Sequence, residues 1–100
     1  MAEYSIDADN NGNYRVTGDL TFETVPDIWE QHHAFSGGNT AVTVDLHDVT
    51  RADSAGLVLL VGWMRAAQEQ GKQISFHNIP GQLLAIAKVS NLDRLLPLQA

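Results

Sequence analysis

The sequence predicts an α/β fold, in which a mostly parallel central sheet of about four to five strands carries packed helices. Two short β-favouring segments open the chain, and a nearly continuous apolar strand lies near its middle. From residue 40 onward, strand-like and helix-like segments alternate, which requires crossover connections and therefore parallel strands. The predicted order is β-β-α-β-α-β-α-α. A chain of 100 residues supplies one hydrophobic core, so we expect a single domain over residues 1–100.

The first third of the chain predicts a hairpin followed by a helix. The segments YSID and NYRVTG flank an Asn-Asn-Gly turn, which is typical of a β-hairpin. A helix is predicted within residues 21–35, with Thr24 as its N-cap and Pro26 in its first turn. Ser-Gly-Gly-Asn ends this helix. Four of its residues share one face: Val25, Ile28, Trp29 and His32.

The remaining elements follow from β-branched runs and helical periodicity. TAVTVDL, residues 40–46, is predicted as a buried strand, and HDVTRAD after it as a loop. A helix runs from Ser54 to Gln70, with Gly71 as its left-handed stop. KQISFHN is predicted as a strand, PGQLLAIAKVSNL as a helix and DRLLPL as a terminal turn or short helix.

Composition and charge exclude several classes of protein. Residues 1–53 hold ten acids against two arginines, a net charge of −8, whereas residues 54–100 carry a net charge of +2. An acidic chain without a basic cluster repels phosphate backbones, so no nucleic acid is expected as a partner. The longest apolar run, AGLVLLVGWM, is ten residues and too short to cross a bilayer, and no signal peptide is evident. We therefore expect a cytoplasmic protein without direct membrane insertion.

The pattern of reactive side chains does not indicate an enzyme. The chain has no cysteine, which excludes a thiolate nucleophile. His32 and His33 point about 100° apart on a helix, so they do not form a metal-binding pair. Ser54 lacks the G-x-S-x-G elbow, and Gly37-Gly38 lacks the rest of a phosphate loop. We expect no catalytic residue, no cofactor and no metal.

The helix that starts at Ser54 divides into faces. One apolar arc must face the sheet: Leu57, Leu60, Val61, Met64 and Ala67. A second stripe lies beside it: Ser54, Val58, Gly62, Arg65 and Glu69. Gly62 lies in the middle of the helix, where a glycine costs about 1 kcal/mol relative to alanine unless another backbone approaches closely. Leu59 and Trp63 lie on the far flank, where they either pack on a neighbouring helix or remain exposed as a docking or dimer surface.

The residues at the start of this helix allow two interpretations. Either Asp53 or Ser54 caps the helix by accepting a hydrogen bond from a free backbone N–H. Ser54 is also a candidate phosphorylation site, because a helix N-terminus tolerates a phosphate well. The sequence leaves both roles open.

The segment from Val42 to Pro80 resembles the signature of the STAS domain. In that family a central strand ends in Asp-Leu, here Asp45-Leu46, and a later Asp-Ser/Thr-x-Gly-Leu motif opens a helix, here residues 53–57. GKQISFHNIP also matches in placement. The resemblance implies a STAS-type single domain that binds another protein. The partner-binding residues it implies, together with the stripe, are Asp53, Ser54, Ala55, Val58, Gly62 and Arg65.

The C-terminal segment LLAIAKVSNLDRLLP narrows the resemblance. Its Ala-Lys, Asn-Leu and Leu-Pro pattern is similar to that of the small STAS subunits of phospholipid-transporting ABC systems. This resemblance implies that the chain binds and stabilises or activates the ATPase subunit of such a transporter. The alternative is an anti-sigma-factor antagonist, whose partner is an anti-sigma factor kinase that phosphorylates the residue equivalent to Ser54.

Overall fold

The computed structural model describes residues 3–99 and places their strands in one sheet with the order β1-β2-β3-β4-β5. The strands are β1 (Tyr4–Ala8), β2 (Asn13–Leu20), β3 (Ala41–Ala52), β4 (Gln73–His77) and β5 (Leu98–Gln99). The helices are α1 (Val25–Gln31), α2 (Ser54–Glu69) and α3 (Gly81–Val89). β1 pairs antiparallel with β2 and every later pair is parallel, which confirms the predicted fold class.

The N-terminal hairpin forms as the turn residues predict. Asn10 and Gly12 both have positive φ, at 68° and 87°, and the Asp9 carboxylate accepts hydrogen bonds from the backbone N–H groups of Asn11 and Asn13. A Cβ atom on Gly12 would lie 2.3 Å from the carbonyl oxygen of Ala41. Glycine therefore lets the turn approach the start of β3.

The helices cover one face of the sheet. Along β3, Val42, Val44 and Leu46 are buried in the core, whereas Thr43 and Asp45 between them are only partly covered. This alternation with period two is expected for a strand that has a helix layer on one face and water on the other. We call the second, uncovered side of the sheet the open face.

Two sequence predictions about the strands are wrong. Residues 47–52, predicted as a loop, continue β3 because they pair with the second half of β2 across two register shifts, for example Leu20 with Ala52. Such bulges occur where one strand carries extra residues, so regular alternation is lost. The last helix of the predicted order is absent from the described residues: the C-terminal segment forms a turn, the other alternative given for it, and then the short strand β5, in which Leu98 pairs with Phe76.

The far flank of α2 is part of the core, so its interpretation as a docking or dimer surface is wrong. Leu59 is 1% exposed and Trp63 is 2% exposed. The indole Nε1–H of Trp63 donates a hydrogen bond of 2.7 Å to the carbonyl oxygen of His32, and its ring packs near Phe35, with centroids 6.4 Å apart. The flank is therefore packed within the fold, although Trp63 packs on residues 32–35, which follow α1, rather than on a neighbouring helix.

No helix within residues 3–99 is both long enough and apolar enough to span a membrane.

Candidate partner-binding site

Asp53 is the single residue between β3 and α2, and it caps the helix. Its Oδ1 accepts a hydrogen bond of 2.9 Å from the backbone N–H of Ala55, which is the arrangement expected of an N-cap. Its Oδ2 accepts a second hydrogen bond of 3.1 Å from the backbone N–H of Phe22. One carboxylate therefore joins the start of α2 to the turn that precedes α1.

Ser54 is exposed as the first residue of α2. Because Asp53 supplies the cap, the Ser54 side chain is not needed for that role. Its hydroxyl makes no hydrogen bond to any other residue between 3 and 99. The oxygen is thus accessible to a partner or to a modifying enzyme.

The glycine of the Asp-Ser-x-Gly-Leu motif has a steric role. A Cβ atom on Gly56 would lie 2.9 Å from the carbonyl oxygen of Leu20 and 3.1 Å from the Leu20 Cβ. The contact sets α2 directly against the end of β2. Ala55 beside it is 8% exposed, so its side chain is buried and offers a partner little surface.

The rest of the predicted stripe lies on the surface. Val58 is 68% exposed, and Arg65 and Glu69 are exposed further along α2. Gly62 lies between them and is partly covered. A Cβ atom there would lie 2.8 Å from the Cζ3 atom of Trp29, so a side chain, rather than another backbone, approaches this glycine closely.

Sequence reasoning missed two aromatic residues of this surface. Phe22 is 69% exposed in the turn before α1, and Trp29, predicted on the same face of α1 as Val25 and Ile28, is 40% exposed. Five residues form an open apolar groove of about 200 Å³ between α1 and α2: Val25, Trp29, Val58, Leu59 and Gly62. We call it the α1–α2 groove. The missed signal is the pairing of an aromatic residue with a glycine on a neighbouring helix.

A hydrogen bond from Tyr4 joins β1 to α1. The Tyr4 hydroxyl donates a hydrogen bond of 2.5 Å to Asp27, and this bond, with burial and the Asp27 charge, raises the pKa of Tyr4 to about 12. The other Asp27 oxygen accepts a hydrogen bond from the Gln31 side chain. Both oxygens of this carboxylate are therefore engaged within the fold.

The polar groups of the open face bond to each other. The Asn78 side chain donates to the Asp45 carboxylate at 3.0 Å and, with the backbone N–H of His47 and the charges of Arg15 and His47, holds the pKa of Asp45 below its ordinary value. Asp48 lies 3.1 Å from His47 Nδ1 and 3.9 Å from Arg15. No cluster of three metal-ligating side chains occurs in the part of the chain that the structure describes.

The comparison with protein families identifies the family of this chain. Residues 7–97 match the family model described as "Mlab, STAS domain". The chain therefore belongs to the STAS domain family, as the motif at residues 53–57 predicts.

The sequence is similar to that of proteins named MlaB from two bacteria. The chain is 29% identical over 77 residues to the intermembrane phospholipid transport system binding protein MlaB of Escherichia coli, covering 77% of each chain. It is 30% identical over 80 residues to the protein of the same name from Haemophilus influenzae, covering 76% of each. These matches confirm the expected similarity to a phospholipid-transport STAS protein.

Solved structures share the fold at lower identity. The unphosphorylated anti-sigma factor antagonist SpoIIAA aligns with a TM-score of 0.73 at 17% identity, covering 98% of this chain and 89% of that one. A sulfate transporter family protein from Wolinella succinogenes aligns with a TM-score of 0.69 at 10% identity, covering 94% and 80%. At these identities the likeness shows the fold alone.

Proposed function

We propose that the chain is the STAS subunit of a phospholipid-transporting ABC system, in which it binds the ATPase subunit and stabilises or activates it. The names of the relatives from Escherichia coli and Haemophilus influenzae support the transport system. In this proposal the chain is cytoplasmic, held at the inner face of the inner membrane by its partner, and has no reaction of its own.

The observation that carries the proposal is the Ser54 hydroxyl, which is exposed and has no hydrogen bond within residues 3–99. It lies beside Val58, an exposed apolar residue one turn later on α2. Such a hydroxyl, small and with a free donor and acceptor, is suited to burial against another polypeptide. It can form a hydrogen bond with the partner, and its desolvation costs little free energy. Asp53 keeps the helix start in place during this contact.

The test is Ser54→Glu in a tagged chain purified from its native host. The added carboxylate lies at a helix N-terminus, where negative charge is tolerated, so the variant is expected to fold normally. It is expected to lose the ATPase subunit from the co-purified proteins, because a buried unpaired charge opposes association. Mass spectrometry identifies the proteins retained.

Ser36→Glu is the matched control, because Ser36 is exposed in the segment after α1 and lies outside the stripe. This variant is expected to retain the ATPase subunit. Retention of the ATPase by Ser54→Glu at the wild-type level contradicts the proposal, as does the absence of any transporter ATPase from the wild-type sample.

The accessible hydroxyl also favours a second candidate function, an anti-sigma-factor antagonist that a partner kinase phosphorylates at Ser54. A phosphate there adds a charge of about −1.5 to −2 at the N-terminus of a 16-residue helix, directly beside the Asp53 carboxylate. The fold tolerates that charge, whereas a complementary partner surface does not. Phosphoserine at position 54, together with a co-purified kinase and no transporter ATPase, decides in favour of this function.

A further inference from the structure

We propose that the α1–α2 groove receives one apolar side chain of the ATPase subunit, carried by a segment with lysine or arginine on either side of that anchor. This inference rests on the proposed function and adds to it the chemistry of the partner segment. Three observations support it: the composition of the groove, the contact between Gly62 and Trp29, and the charge of α1.

The groove is apolar, and its accessible side chains are Trp29 and Val58, whereas Val25 and Leu59 are buried. All five lining residues are Val, Leu, Trp or Gly, with Trp29 40% and Val58 68% exposed. An apolar side chain that enters removes both accessible side chains from water, which favours association in proportion to the area covered. Tryptophan in a shallow apolar depression is the residue type most often responsible for binding energy at interfaces.

Gly62 determines the shape of the groove. Its missing Cβ leaves space for the Trp29 ring, whose nearest atoms would lie 2.8 Å and 3.1 Å from a Cβ atom. Glycine in the middle of a helix lowers stability relative to alanine. At this position the absence of a Cβ atom allows the six-membered ring of the indole to approach α2 closely, while Trp29 keeps part of its surface exposed.

The charges beside the groove favour a basic partner segment. On the α1 side no lysine or arginine occurs between Arg15 and Arg51, whereas α1 and the turn before it contain Glu23, Asp27 and Glu30. On the α2 side one exposed charge of each sign follows the groove, Arg65 and Glu69. Asp27 is engaged by Tyr4 and Gln31. Glu23 and Glu30 are exposed, and their carboxylates make no hydrogen bond or ion pair with the other residues from 3 to 99. Complementary charge selects partners and increases the association rate.

The first experiment measures binding of the purified ATPase subunit by calorimetry. Val58→Asp is expected to weaken binding about tenfold or more, since it places a charge in the groove wall. Val89→Asp is the matched control, because Val89 is also helical and 87% exposed but belongs to α3. It is expected to bind as the wild type does. Equal affinities of the two variants overturn the inference.

Gly62→Ala distinguishes an effect on the shape of the groove from an effect on the stability of the fold. Alanine improves helix propensity, so the melting temperature is expected to stay unchanged or rise. Binding is nevertheless expected to weaken several-fold, because the Cβ atom displaces Trp29.

Glu30→Lys is expected to weaken binding and to reduce its dependence on salt. Wild-type affinity for both variants contradicts the proposal.

Fluorine NMR of the chain labelled with fluorotryptophan distinguishes failure of this inference from failure of the proposed function. Of the two tryptophans, Trp29 is accessible and Trp63 is buried. We expect only the Trp29 signal, assigned with Trp29→Phe, to shift when the ATPase is added.

If the ATPase binds and Ser54→Glu prevents binding, but the Trp29 signal is unmoved, the groove is not the docking site and the proposed function stands. If no ATPase binds, both are overturned. Self-association of the wild type that Val58→Asp abolishes, with ATPase binding intact, assigns the groove to a second copy and overturns the inference.

Discussion

Two surfaces of the molecule differ in how their exposed groups are satisfied. One is formed by α1 and α2, and the other is the open face of the sheet. On the open face, Asp45 bonds to Asn78, and Asp48 lies beside both His47 and Arg15. On the helical surface, Phe22, Trp29 and Val58 expose large apolar areas. Polar groups that pair with each other and with water are already satisfied. A cluster of exposed apolar residues gains free energy only when another molecule covers it.

The difference indicates which side of the molecule is available to a partner. The open face has charge of both signs held in local pairs, as is common on solvated surfaces. The helical side has an unbonded hydroxyl, an apolar groove, the exposed carboxylates of Glu23 and Glu30 on the α1 side, and Arg65 on α2. Three variants, ordered from the largest expected effect to the smallest, test this contrast.

Asp53→Ala tests whether the helical surface depends on its cap. The backbone N–H groups of Ala55 and Phe22 both lose their acceptor, so the free energy of unfolding is expected to fall by about 1–2 kcal/mol. For a domain of this size that lowers the melting temperature by roughly 4–8 °C per kcal/mol. Asp53→Asn keeps an oxygen acceptor and is expected to lose less. An unchanged melting temperature for Asp53→Ala contradicts the assigned cap.

Asn78→Ala tests the pairing on the open face through its dependence on pH. The pKa of Asp45 is lowered in the folded state, so its ionised form stabilises the fold above the ordinary value of 3.8, and this stabilisation is lost as the pH falls through the folded pKa. Without the Asn78 amide, the pKa returns toward 3.8. Urea unfolding at about pH 7 and about pH 3 is therefore expected to show a smaller loss of stability on acidification than in the wild type. An equal loss indicates that the amide does not hold the carboxylate.

Arg15→Ala is expected to have the smallest effect. Arg15 and Asp48 are 3.9 Å apart with both side chains well exposed, and such pairs contribute about 0–1 kcal/mol. Affinity for the ATPase subunit is expected to stay within about twofold of the wild type, since rim and surface charges away from an interface act weakly. A large loss of affinity would move the interface to the open face and reverse the contrast drawn above.

Local sequence signals predicted most elements of the fold. Asn-Asn-Gly predicted the hairpin, Gly71 has the positive φ expected of a helix stop, and the motif at Asp53 predicted the start of α2. These features depend on residues that are close in sequence. The strand nature of residues 47–52 depends instead on pairing with β2 through bulges, which no local pattern specifies.

The candidate site was predicted in part for the same reason. Ser54 and Val58 are exposed because they lie on the outer side of α2, which helical periodicity indicates. Trp29 and Trp63 could not be assigned in this way. One is partly exposed because Gly62 leaves space for it, and the other is buried because the segment after α1 covers it. Both outcomes depend on contacts between elements far apart along the chain.

The extension of β3 to Ala52 has a consequence for the kinetics of recognition. Only Asp53 separates the last strand residue from the first helical one, so no pliable loop precedes Ser54. A preorganised surface loses little conformational entropy on docking and needs no slow rearrangement before contact. We therefore expect association to proceed in a single kinetic phase limited by encounter, with the backbone of this junction superimposing closely before and after the complex forms.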